Sequence, residues 1–142
     1  MPSRKLTILC WSLQVLVACI LLQTLYFKFS GAEESRYIFT TLGLEPWGRI
    51  GTGCVELVAA AMLLHGRLAA AGAALAMGVI SGAIASHLTR LGIVVRDDGG
   101  LLFVLALVVF VASAAVLMLR RASLPVLGSR LALLVPRLPA VP

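Results

Sequence analysis

The amino-acid sequence predicts an all-α protein: a transmembrane four-helix bundle with a short interfacial helix in the first outer loop. Composition is the first reason. Hydrophobic residues make up 61% of the 142 and charged residues only 13%, with a mean hydropathy of +1.04. A soluble domain of this size carries about 25% charged residues and has too little interior to hide so much apolar surface. Segment length is the second reason. Four apolar runs, at about 6–27, 49–65, 68–88 and 101–119, approach the roughly 20 residues that cross a bilayer at 1.5 Å per residue. The third is that charges collect between and beyond these runs. Together they predict one membrane domain, residues 1–121, followed by a Pro/Leu-rich cytoplasmic tail at 122–142.

The first run follows Arg4-Lys5 and so resembles a signal peptide. It is too long for a signal h-region and no A-x-A site follows it, so it reads as a retained anchor. In the first loop, Ser30-Gly31-Ala32-Glu33 fits an S-x-x-E capping box. Tyr37, Ile38, Thr41 and Leu42 then recur at helical spacing, and Gly43 fits a helix stop. This is the predicted interfacial helix, with Tyr37, Phe39 and Trp47 at headgroup level. Gly66-Arg67 is so short a link that the second and third spans must form an antiparallel hairpin. The third span has small residues at every fourth position, Ala70, Ala74, Gly78, Gly82 and Ser86. They predict close packing against Gly48, Thr52, Glu56 and Ala60 of the second. Asp97-Asp98-Gly99-Gly100 reads as a turn capping the fourth helix. That helix has Ser113 as its sole polar residue and is expected to be the most lipid-exposed. In the tail, Pro125, Pro136, Pro139 and Pro142 argue against a fifth span.

Orientation follows from the basic residues. Arg4, Lys5, Arg67, Arg120, Arg121, Arg130 and Arg137 fall on one side; Lys28, Arg36, Arg49, Arg90 and Arg96 fall on the other. The richer side is expected to be cytoplasmic, which puts both termini in the cytoplasm; the expected location is the cell's inner (plasma) membrane. The net charge of +6 is thus a topology signal. It is not a nucleic-acid footprint, since the cations sit at span ends and form no stripe. Cys10, Cys19 and Cys54 lie in apolar runs without a CxxC pair, so a self-contained thiol–disulfide reaction is not expected. His65 and His87 fall at opposite ends of their spans, about 20 Å apart, too far in depth to share a haem. The sequence holds no HExxH, Cys/His metal spacing, P-loop or Ser–His–Asp set. Gly51-x-Gly53 lies within a span, with no strand before it to make a dinucleotide fingerprint. No metal or resident cofactor is therefore expected, and no catalytic residue is assigned.

The candidate site is a polar cluster beneath the outer face. Glu56 lies about 10 Å inside the second span, where an unpaired ionisable group costs roughly 2.5–3.5 kcal/mol. Side chains lean toward the N-terminus of their helix. Glu56 therefore leans outward, while Gln23 on the first span and His87 on the third lean inward to the same level. Lys28, Arg49 and Arg90 could close the cluster from above, with Arg49 the weaker partner because it can snorkel outward. Three readings stand side by side. Gln23, Lys28, Glu56, His87 and Arg90 form an interhelical polar lock, a pocket open to the outer side in which a quinone or lipid could dock, or an interface with a partner subunit.

Several of these stretches carry a resemblance. Leu25-Tyr26-Phe27-Lys28-Phe29-Ser30-Gly31, residues 39–44, Glu56-Leu57, Gly82-Ala83 and His87-Leu88 resemble the DoxX and DoxX-like family over about residues 8–120. The resemblance implies a small four-helix bacterial membrane protein, with Lys28, Glu56 and His87 on the matching positions. It also implies a link to membrane redox, quinone or thiol-stress complexes. The expected function is a non-catalytic or accessory component of a redox, quinone-linked or envelope complex, with the lipid bilayer and a redox or envelope protein as partners. The alternatives are a small-solute or proton-coupled transporter working as a homo-oligomer, and a membrane enzyme using Glu56 and His87 as an acid–base pair.

Overall fold

The computed structural model describes residues 4–120, so the expected tail at 122–142 lies outside the described residues. Every regular element among them is helical. Four helices are long and apolar enough to span a membrane: α1 (Arg4–Ser30), α3 (Trp47–Leu64), α4 (Ala69–Ser86) and α5 (Leu101–Leu119). The short helix α2 (Glu33–Thr41) occupies the first loop, and α4 runs on into a π-helical turn at His87–Leu91.

The long helices close into a ring in which α1 packs on α3 and α5, and α4 packs on the same two. Chain order makes each neighbour antiparallel. One end of the ring is tied by Arg120, whose guanidinium donates to the Gly66 carbonyl at 3.0 Å and lies over the Trp11 ring. The other end carries Lys28, α2 and the loop before α5. Between them runs a core of Val17, Ala18 and Leu21 from α1, Ala59, Ala60 and Leu63 from α3, Ala73, Ala76 and Ile80 from α4, and Ala106, Val109, Ala112 and Val116 from α5.

The α3–α4 hairpin is as tight as expected, but through a different face of α4. A Cβ on Gly72 would stand 2.7 Å from the Leu63 backbone nitrogen and 3.0 Å from the Ala59 carbonyl. Ala69, Ala70, Ala73 and Ala76 are buried beside it. Ala74 is exposed, and Gly78 and Gly82 have no atom within 4 Å of an added Cβ. Every-fourth-residue spacing drifts around a helix of 3.6 residues per turn, and only Ala70 of that stripe falls on the packed arc. On α3, Glu56 and Ala60 are buried together with Arg49, Gly53, Ala59 and Leu63, while Gly48 and Thr52 are half-exposed.

Three further expectations change. In α5, 28% of the apolar window is buried, the same share as in α1. It is therefore no more lipid-exposed than α1, because a closed ring gives each helix two neighbours. Phe39 is buried rather than at the rim, whereas Tyr37 and Trp47 are exposed. The capping box does not form. Ser30 is the last residue of α1, and α2 begins after Ala32 with no side-chain cap. Gly31 instead adopts φ +67°, and the Ala32 N–H reaches back to the Phe27 carbonyl, closing α1 in a Schellman-type stop. Gly43 ends α2 as expected, with φ +72°, through Leu44 N–H to Phe39 O and Gly43 N–H to Thr40 O.

Candidate functional site

Glu56 sits on the inward face of α3 and is buried. Lys28, two residues before the end of α1, turns its ammonium toward the bundle, in keeping with the N-terminal lean of helical side chains. Its Nζ lies 2.7 Å from Glu56 Oε1 and 2.6 Å from Oε2. Thr24, one turn earlier on the same face of α1, places its hydroxyl 3.0 Å from Oε2 and 2.8 Å from the Leu21 carbonyl. Both carboxylate oxygens are thus held from α1. The approach of the two helices is close here, since a Cβ on Gly53 would stand 3.1 Å from the Phe29 ring.

Arg49 is buried above this pair, but it does not reach Glu56. Its Nε donates to both Glu45 oxygens at 2.9 and 3.0 Å, and Nη1 donates to the Lys28 carbonyl. It thereby caps a carbonyl left open at the C-terminus of α1 and fixes the backbone from which Lys28 projects. The hydrogen bond from Arg49 holds the Glu45 carboxyl below the usual range.

The remaining candidates lie elsewhere. His87 is buried, yet its Nδ1–H donates to the Gly92 carbonyl at 2.7 Å, and its ring meets Phe103 edge-on at 5.5 Å. Gly92 N–H returns to the His87 carbonyl, so the pair clasps the π-helical turn. Gln23 and Arg90 are both exposed. Gln23 stands one position from Thr24, about 100° around the helix, and the depth argument that selected it carries no information on azimuth. Thr24 was the residue missed. The legible signal was its i,i+4 relation to Lys28, which puts both on one face.

The loop before α5 is built around Asp98. Its Oδ1 accepts from Val95 N–H and Gly100 N–H, and its Oδ2 accepts from Leu102 N–H in the first turn of α5. Burial pushes this carboxyl up, but the three backbone donors outweigh it and hold the group below its ordinary value. Asp98 therefore caps α5 as expected, while Asp97 serves as a left-handed turn residue at φ +62°. Arg96 ties the loop to α2 through Glu33 at 2.8 Å and the Tyr37 ring. Among the described residues, no three His, Cys, Asp or Glu side chains converge to hold a metal.

A family model described as the DoxX-like family matches residues 12–116, a range that takes in the Lys28–Thr24–Glu56 contact. No curated protein and no solved structure matches the chain.

Proposed function

The chain belongs to the DoxX-like family, and from that premise we propose that it is a non-catalytic, accessory component of a redox, quinone-linked or envelope complex in the bacterial inner membrane. The observation that carries the reading is the state of Glu56. Lys28 engages both of its oxygens and Thr24 adds a third contact. A carboxylate so held is a register pin between α1 and α3, and a poor proton acceptor for transport or acid–base chemistry. His87, the other half of an acid–base pair, is engaged with Gly92. A quinone or lipid headgroup would meet this end of the bundle at its rim. The exposed ring of Trp47 suits such contact. Seven basic residues against five support cytoplasmic termini.

Extraction of the full chain from its native membrane in mild detergent tests the proposal. The expected result is a stable assembly containing a redox or envelope protein, with quinone or lipid retained. Isolation of the chain alone, with neither partner nor bound quinone or lipid, would overturn it. So would proton or solute flux into reconstituted vesicles that disappears in Glu56→Gln.

A further inference from the structure

The side of α1 that faces away from the bundle is not a plain lipid-facing surface. Leu9, Ser12, Leu16, Cys19, Gln23 and Tyr26 are all exposed, and their spacing alternates three and four residues, the seam of a coiled coil. Trp11, Ser12, Val15, Leu16 and Cys19 form a nearly flat, open patch on this face, with α1 alone beneath it. Three of the six seam residues are a hydroxyl, a thiol and a primary amide, in a helix whose 27 residues exceed the hydrocarbon thickness by roughly 10 Å.

Gln23 is the informative one. It lies about 9 Å from the midpoint of α1, within the roughly 15 Å half-thickness of the hydrocarbon layer. Exposed hydroxyls elsewhere in the spans return to their own helix: Ser81 to the Met77 carbonyl, Ser86 to Gly82 and Thr89 to Ala85. The Gln23 amide has no hydrogen-bond partner among the described residues. In lipid no water is present to take its two donors and one acceptor, so a partner helix must.

We infer that the partner is a second copy of this chain, packed α1 against α1 about a two-fold axis along the membrane normal. Two copies inserted with the same topology present their α1 helices in parallel, and a two-fold axis sets each seam residue opposite itself. A primary amide is both donor and acceptor, so Gln23 pairs reciprocally with its symmetry mate. A primary amide at a seam position also helps to fix the register of such a pair. The arrangement leaves the Lys28–Glu56 contact untouched on the opposite face of α1. It also sets Cys19 against Cys19 of the second copy near mid-membrane.

That last feature supplies the test. Membranes holding the full chain are oxidised with copper phenanthroline, which takes two electrons from a pair of thiols and releases two protons as the disulfide forms. Non-reducing gels should show a dimer that persists in Cys54→Ser, disappears in Cys19→Ser, and keeps its yield when excess lipid dilutes the protein. Gln23→Leu should lower the yield roughly fivefold. No dimer through Cys19, a yield that falls in step with lipid dilution, or full yield in Gln23→Leu would overturn the inference. Dimerisation and assembly into a larger complex are separate events, so cross-linking and co-purification fail independently.

Discussion

A carboxylate in hydrocarbon is tolerable only when its charge is matched and its lone pairs are occupied. Glu56 meets both conditions through Lys28 and Thr24. Removing one partner is worse than removing both, because the survivor is left charged in the bundle. Lys28 lies near the end of α1 and can swing toward the headgroups, which limits the damage. Glu56→Gln should therefore destabilise the detergent-solubilised bundle by about 1–3 kcal/mol. The Lys28→Met/Glu56→Met double variant should recover most of that loss. Thermal unfolding of Lys28→Met, Glu56→Met and the double variant checks this. A double variant as unstable as the sum of the singles would show that the ion pair is not what couples these positions.

Loop geometry at the Lys28 end hangs on a few carboxylate and glycine positions that start and stop helices. Asp98 gathers three backbone N–H groups across the turn into α5. Its pKa in the folded chain is depressed below an unfolded value of about 3.9. The linked stabilisation is thus fully present above that value and is lost as pH falls through it toward the folded-state pKa. Glu45, held low by Arg49, contributes in the same direction. Unfolding followed from pH 7 down to pH 3 should show stability falling at the acid end, with a shallower fall in Asp98→Asn. Asp98→Ala should in addition cost about 1 kcal/mol at neutral pH, as the loss of a helix cap does. An acid limb unchanged in Asp98→Asn would assign the effect to other groups.

At the scale of the molecule, a closed ring of four helices in lipid is held by how near its backbones can come. The nearest approach rests on Gly72, where an added Cβ meets the Leu63 nitrogen, Met62 Cβ and Ala59 oxygen at 2.7–3.0 Å. None of these is the free end of a flexible side chain. Gly72→Ala should cost about 1–3 kcal/mol by forcing α3 from α4. Gly78→Ala, on the same helix in open surroundings, should be neutral or gain up to about 1 kcal/mol from helix propensity. Paired melting curves of the two variants decide between the Gly72 face and the Gly78 face as the packed one.

Composition and segment length determined the membrane class, the four helices and the α2 insert, because hydropathy and helix rise are local properties summed along the chain. Local signals also identified the Gly43 stop, the Asp98 cap and the short hairpin, since each depends on residues a few positions apart. Depth within the membrane was legible too, and it is why Lys28 could be set just above Glu56 at the outer end of the bundle. Azimuth was not. Which side of a helix faces its neighbours depends on the ring of contacts with three other helices, and lipid blurs the contrast that polarity gives in water. So the tertiary structure decided that the Thr24–Lys28 face of α1, and not Gln23, meets Glu56, and that His87 clasps its own turn. It also decided that Gly72, not the Ala74–Gly78–Gly82 stripe, lets α3 and α4 touch.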